Sequence, residues 1–170
     1  MAMEIERKFL VTGDSWRRNV VRSETLRQGY LSSNGFAGEE SPVRCSVRVR
    51  IQGDEAFLNI KEAVMGRARL EFDYGIPVDD AAEMLDRLAA GPVLDKTRHV
   101  VREDGATWEV DVFHGDNAGL IVAEIELESA DASVPQPEWL GREVTELKRY
   151  YNVSLVSHPY SRWTSEERQS

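Results

Sequence analysis

Glu4-Ile5-Glu6-Arg7-Lys8-Phe9-Leu10-Val11 is the stretch whose reading decides the fold. Glu4, Glu6 and Lys8 share one parity, and Ile5, Arg7 and Phe9 share the other. Successive strand side chains point to opposite faces, so a strand here carries full charges on one side and mainly apolar groups on the other. Similar runs recur at Leu26–Ser32, Val43–Ile51, Ala56–Lys61, Arg69–Ile76, Lys96–Arg102, Thr107–Phe113 and Leu120–Glu128. Gly, Asp and Asn separate them, and Glu103-Asp104-Gly105 suits a tight hairpin between Val101 and Trp108. The series predicts an antiparallel sheet, with closure into a barrel as one option.

Parity sorts the other runs in the same way. Ser46, Arg48 and Arg50 oppose Val47, Val49 and Ile51, while Asn59 and Lys61 oppose Leu58 and Ile60. Arg69, Glu71 and Asp73 oppose Leu70, Phe72, Tyr74 and Ile76. Lys96, Arg98 and Arg102 share a parity, and Glu109 and Asp111 oppose Trp108, Val110 and Val112. Glu124, Glu126 and Glu128 oppose Ala123, Ile125 and Leu127. The polar set holds almost no Ser or Thr, and its two signs nearly balance. Two architectures satisfy this pattern. One is an open sheet with a core side and a wet side, the commoner solution. The other is a barrel with the charges inside, which is costly unless they pair or bind a ligand.

The polar set has a specific chemistry. Arg grips phosphate oxygens with a planar fork and Lys with a point charge. Alternating carboxylates hold hard divalent cations, with Mg²⁺ the usual choice beside phosphates. Together they describe a phosphate chain held with its metals, and phosphoryl transfer depends mainly on positioning and charge neutralisation. No G-x-x-x-x-G-K-[ST] loop is present.

Composition bounds the rest. The chain has 170 residues, 41% of them hydrophobic, which suits one domain with a real core and neither disorder nor membrane spanning. Its net charge of −9 argues against nucleic acid as a partner, and by itself against any polyanion. Net charge does not say where charges sit. Cys45 is the only cysteine, so neither an intramolecular disulfide nor a cysteine-based zinc cluster can form. The charged start Met1–Lys8 is unlike a signal peptide, so the cytoplasm is the expected compartment, and the Asn152-Val153-Ser154 sequon is read as chance. His99 and His114 lack partners at metal-ligand spacing, His158 lies in a tail, and Trp16, Trp108 and Trp139 read as packing residues.

One helix is marked by Asp79 or Asp80 as cap, an apolar stripe of Ala82, Leu85, Leu88 and Ala89, and a stop at Gly91-Pro92. A shorter one follows Asp14, with Trp16 and Val20 inward. A helical turn is expected over Thr145–Tyr151, and Arg162–Ser170 reads as a polar, frayed end.

Glu4-Ile5-Glu6-Arg7-Lys8 resembles the ExExK signature of the CYTH superfamily, the triphosphate tunnel metalloenzymes. The resemblance continues through Gln28-Gly29-Tyr30-Leu31, Val47-Arg48-Val49-Arg50, Asn59-Ile60-Lys61 and Arg69-Leu70-Glu71-Phe72-Asp73-Tyr74. It then takes in Lys96-Thr97-Arg98, Trp108–Phe113, Glu124-Ile125-Glu126-Leu127 and Trp139-Leu140-Gly141-Arg142-Glu143-Val144-Thr145. It implies an α+β, mainly β fold: an eight-stranded antiparallel closed barrel, or tunnel, with helices outside and a short C-terminal plug helix carrying Lys148 and Arg149. One domain would span residues 1–160, with a tail at 161–170.

The resemblance further implies that Lys8, Arg48, Arg50, Lys61, Lys96 and Arg98 bind phosphate. It makes Glu4, Glu6, Asp111, Glu124 and Glu126 metal ligands, and Glu71 and Asp73 further acidic tunnel groups. Asp73 is shorter than the Glu that relatives often carry. Catalysis would fall to Glu4, Glu6, Lys8 and Tyr30. The implied activity is hydrolysis of inorganic tripolyphosphate with Mg²⁺, or Mn²⁺ in its place. Thiamine triphosphatase, a class IV-type adenylate cyclase and a non-catalytic polyphosphate- or nucleotide-binding module are the alternatives. The expected partner is a triphosphate, not nucleic acid or a membrane, for a monomer or homodimer.

Overall fold

Nine strands and a few short helices make up the computed structural model, which describes residues 2–31, 44–64 and 68–169, with backbone alone at 2–4 and 68. The strands are β1 (Ala2–Val11), β2 (Val20–Tyr30), β3 (Cys45–Gln52), β4 (Glu55–Glu62), β5 (Ala68–Ile76), β6 (Leu94–Glu103), β7 (Ala106–Phe113), β8 (Ile121–Glu126) and β9 (Leu140–Glu143). The helices are α1 (Val78–Arg87), α2 (Asn152–Ser157) and α3 (Ser165–Gln169). None is long and apolar enough to cross a membrane. The strands form one antiparallel sheet in the order β5-β4-β3-β2-β6-β7-β8-β1-β9. β1 meets β8 over Glu6–Leu10, and at its start, Ala2–Ile5, it also pairs with β5.

Each alternating run of the sequence falls on a strand, although Ser32 and Val43 lie outside the described residues and Leu31, Leu120, Leu127 and Glu128 lie beyond the strand ends. The β6–β7 turn places Asp104 at φ 52° and Gly105 at φ 75°, the left-handed pair that suits a two-residue hairpin. β2 starts earlier than its alternation suggests, directly after a 3₁₀ turn over Ser15–Asn19 that buries Trp16.

A strand that the sequence pattern does not show, β9, lies on β1 beyond the reach of β5. It has 4 residues, too few for alternation to register. Main-chain bonds from Thr12 N–H to Trp139 O and from Val144 N–H to Lys8 O, both 2.8 Å, fasten its ends.

α1 differs from its sequence reading. Pro77 precedes it with no side-chain cap, and Asp79 and Asp80 sit inside the first turn, where they offset the helix dipole. Its buried face is Ala81 and Leu85, whereas Leu88 follows the helix and is 61% exposed. α1 lies close over β2. A Cβ on Gly29 would stand 2.9 Å from Leu85 Cδ2, so any larger residue there requires the Leu85 side chain to shift.

Three apolar clusters result. Val49 and Ala56 pack under Ala81 and Leu85 of α1. Phe9, Val101, Trp108, Val110, Ala123 and Ile125 pack with Trp16 and Trp139. The third joins Leu94, Phe113 and Val122 to Val144, Tyr150, Leu155 and Trp163. The end expected to fray is instead ordered through residue 169. Thr164 and Glu167 form a reciprocal capping box, Thr164 N–H to Glu167 Oε2 at 2.8 Å and Glu167 N–H to Thr164 Oγ1 at 3.2 Å. Aromatic packing of Trp163 on Tyr150 anchors this end.

Candidate active site

The charged parity of the strands lines one cavity of about 540 Å³, walled by Glu6, Lys8, Tyr30, Arg48, Arg50, Lys61, Glu71, Lys96, Arg98, Glu124 and Glu126. The apolar parity of β1 and β6–β8 packs in the Trp108 cluster on the other side. Buried charges demand partners, and register supplies them. Lys8 stands opposite Glu124 across β1–β8, with Nζ 2.5 Å from Glu124 Oε1 and 3.2 Å from Glu6 Oε1. Arg69 Nη2 reaches Glu6 Oε1 at 2.7 Å. Arg98 grips both oxygens of Asp111 at 2.7 Å, touches Glu124 Oε2 at 3.1 Å and pairs with Glu109. Lys96 Nζ donates to Asp111 Oδ2 at 2.5 Å. Across the cavity, Arg48 donates to Asn59 Oδ1 through Nε at 3.2 Å and Nη2 at 3.1 Å, and Lys61 Nζ lies 3.3 Å from Glu71 Oε2.

Burial and pairing set the protonation states. Burial pushes Lys8 down, yet Glu124 and Glu6 outweigh it and hold the ammonium above its ordinary value. Burial likewise favours the neutral form of Glu124, but Lys8, Arg98 and Lys96 hold its carboxyl well below the usual carboxylate range. Asp111 is lowered, because Arg98 and Lys96 overcome its burial. Burial wins for two cations: Lys96 is lowered to about 8 and Arg50, beside Arg48 and Arg98, to about 10. Burial also raises Glu109 despite Arg98, and raises Tyr30 despite Arg48.

The expected site residues fall into three groups. Those named above on the cavity wall are brought together. Asp111 and Asp73 do not line the cavity: Asp111 is buried behind its wall, whereas Asp73 is exposed. Asp111 is 1% exposed and occupied by Lys96 and Arg98, while Asp73 Oδ1 accepts from Asn59 Nδ2 at 2.6 Å and so braces Arg48 at one remove. The Glu4 side chain lies outside the described residues, although its backbone pairs with Arg69. Arg102 and Glu128 are exposed, as their strand-end positions suggest.

Sequence reasoning passed over Arg69, Glu109, Glu62 and Tyr151, which also line the cavity. Parity had already placed Arg69 and Glu109 on the polar face. Tyr151 has no such signal, since it arrives from the segment after β9. Its ring lies 5.1 Å from Lys8 Nζ and 5.6 Å from the Arg69 guanidinium carbon, within cation–π range. Its hydroxyl donates to Thr145 O at 2.8 Å, and Lys8 N–H donates to Thr145 Oγ1 at 3.0 Å, so this segment and β1 hold one another. Lys148 and Arg149 do not line the cavity, and the Arg149 guanidinium lies over Tyr150 and Trp163.

The donor set suits a hard cation. Glu6 faces Glu126 across β1–β8, and Glu109 faces Glu124 across β7–β8. Like charges in directly opposed positions repel unless a cation intervenes. Arg69, Lys8 and Arg98 supply that cation for Glu6, Glu124 and Glu109. Among the described residues no three acidic, His or Cys side chains converge closely enough to hold a metal alone. An ion here would complete its coordination with ligand oxygens, as Mg²⁺ beside phosphates does.

Comparison with known proteins agrees with this geometry. The CYTH domain family model matches residues 2–160. An inorganic triphosphatase of Acetivibrio thermocellus is 43% identical over 160 residues, covering 94% of this chain and 97% of the relative. One of Nitrosomonas europaea is 38% identical over 157 residues, covering 90% and 96%. A crystal structure of an inorganic triphosphatase superposes with a TM-score of 0.62 at 37% identity, covering 92% of this chain and 95% of that one. With the family model spanning nearly the whole sequence, this chain belongs to the CYTH family.

Proposed function

We propose that this protein is a divalent-metal-dependent triphosphatase that hydrolyses a linear triphosphate, foremost inorganic tripolyphosphate, to pyrophosphate and phosphate. The observation that carries the reading is the interleaving of ionised cations and carboxylates on one cavity wall, Lys8 with Glu124 and Glu6, Arg98 with Glu124 and Glu109. The names of the relatives support it. The pairing of β1 with both β5 and β8 supports a tunnel of eight strands. Packing of Tyr150, Leu155 and Trp163 against Leu94, Phe113 and Val122 supports a C-terminal plug at one end. One domain over residues 1–160 in the cytoplasm fits this reading.

Within the site the cations and carboxylates neutralise each other. Substrate exchanges those partners: Lys8, Lys61, Lys96 and Arg98 turn from carboxylates to phosphate oxygens, and Arg48 and Arg50 join them. Glu124 and Glu126 would hold one Mg²⁺ or Mn²⁺, with Glu4 or Glu6 at a second. A bound divalent ion supplies charge neutralisation across phosphate oxygens and acidifies a coordinated water. The chain's own cations fix the triphosphate in line for attack and stabilise charge on the leaving pyrophosphate. Tyr30, on the same wall as Arg48, is kept protonated by burial and serves as a donor to a phosphate oxygen.

Phosphate release from tripolyphosphate, ATP and thiamine triphosphate tests this, each with Mg²⁺, Mn²⁺ or excess chelator. Tripolyphosphate should be turned over fastest, and chelation should stop release. Turnover that survives full chelation would remove the metal from the mechanism, and absence of release from all three would end the triphosphatase reading.

A further inference from the structure

Gln28 is a buried polar group that shares the charged face of the strands without itself lining the cavity, and the charge pairing leaves it unexplained. It stands on β2 two residues before Tyr30, directly opposite Arg50 on β3 and Leu94 on β6. The intervening Gly29 faces α1, so Gln28 shares the face of Tyr30 and Arg50. Leu94 belongs to the apolar cluster with Phe113, Tyr150 and Leu155. Gln28 therefore sits where the charged wall meets the apolar end. It is 0% exposed, and among the described residues neither Oε1 nor Nε2 has a hydrogen-bond partner. Arg50 Nε, across the ladder, is buried and unpartnered as well.

An amide with both ends unmet destabilises a fold, and an apolar side chain of similar shape would serve this position better. Unsatisfied buried groups in native proteins call for a specific explanation, often a functional one. The two open groups are complementary. Oε1 is an acceptor and Arg50 Nε is a donor, from residues paired in register. Arg50 makes no ion pair among the described residues, and its guanidinium lies 5.3 Å from the Phe57 ring centroid. A guanidinium is a rigid planar fork, so anchoring Nε fixes the direction of both Nη groups.

We propose that Gln28 positions Arg50 for the triphosphate: in the substrate-loaded site its Oε1 accepts the Nε–H of Arg50, and its Nε2 donates to an oxygen of the innermost phosphate. This rests on the triphosphatase reading and extends it to a neutral residue beside the charged wall. The alternative occupant of the same open groups is a trapped water with no part in substrate binding.

The test uses the full chain with tripolyphosphate and Mg²⁺, comparing wild type with Gln28→Leu and Gln28→Met. Each variant should melt at or above the wild-type temperature without ligand, because an unmet amide has been removed. Each should raise KM by about 10- to 100-fold, the range expected for lost hydrogen bonds to charged groups, with a smaller change in kcat. Gln28→Glu keeps the acceptor for Arg50 but sets a negative charge toward phosphate, so its KM should rise at least as far. Folded Leu and Met variants with wild-type KM would overturn the proposal in favour of the trapped water. Failure of both to fold would overturn it too, because the carboxamide would then be holding the unliganded structure. A wild type inactive on every triphosphate would instead sink the parent reading.

Discussion

On β6, β7 and β8 the inner face changes character within one step of the side-chain alternation. Leu94 is followed on the same face by Lys96, Phe113 is preceded by Asp111, and Val122 is followed by Glu124. The first member of each pair joins the apolar cluster with Tyr150, Leu155 and Trp163, and the second joins the charged network. The two regions are held by opposite means. The apolar end needs only area removed from water. The charged end needs each group matched to a partner, because the neighbouring apolar cluster leaves little water to solvate it. Lys96 shows the consequence: it donates to Asp111 at 2.5 Å and still has its affinity for a proton lowered to about 8 by burial.

The sharpest way to break the contrast is Arg98→Met. It removes the partner of Asp111, Glu109 and Glu124 together with a proposed phosphate ligand. A loss of roughly 10³-fold or more in kcat/KM is expected, in line with removal of a preorganised electrostatic group. Steady-state kinetics on protein with an unchanged circular dichroism spectrum measures it, and activity within tenfold of wild type would contradict the assigned role.

Leu155→Ala probes the other region. Leu155 is 1% exposed, and its truncation should cost about 3 kcal/mol in denaturant unfolding. KM should change far less than stability, because Leu155 touches the apolar cluster and not the cavity wall. A large KM effect with unchanged stability would show that the two regions are not separable in this way.

Tyr151 bridges them, and Tyr151→Leu should raise KM by about tenfold through loss of the ring beneath Lys8 and Arg69. Tyr151→Phe should restore most of it, since the ring remains. Equal damage from Phe and Leu would assign the effect to the hydroxyl bond with Thr145.

The smallest effect concerns pH. The folded value of Lys96 lies near 8, below its ordinary 10.5, so between these limits the unfolded chain binds more protons. This group therefore makes the protein more stable as pH rises across that window. Phosphate binding runs the other way, because the cation is lost. KM for tripolyphosphate should climb about fourfold from pH 7 to about 8.5, with the slope flattened in Lys96→Arg. A slope unchanged by that substitution would place the titration elsewhere.

Much of the site was legible because parity is a local property. Glu6, Lys8, Arg48, Arg50, Lys61, Lys96, Arg98, Glu124 and Glu126 were separable from their apolar neighbours by alternation alone, and all line the cavity. Parity could not rank them. Asp111 has the same alternation as Glu109, yet Asp111 is spent behind Lys96 and Arg98 while Glu109 reaches the cavity. That difference comes from cross-strand register and depth, which involve partners distant in sequence. Tyr151 and Trp163 were invisible for another reason: they come from short irregular segments whose positions are set by what they pack against.

The sequence by itself determined the strands β1–β8, the hairpin at Asp104-Gly105 and the division of most of them into a charged and an apolar face. Period-two alternation and turn preferences act over a few residues and need no distant partner. Tertiary structure alone decided that the charged face would line one cavity, with β1 pairing to both β5 and β8 and the charges neutralising one another across strands. The net charge of −9 speaks against a polyanion only while the charges are averaged over the chain. Once packing gathers Lys8, Arg48, Arg50, Lys96 and Arg98 into one desolvated wall, local field outweighs the total.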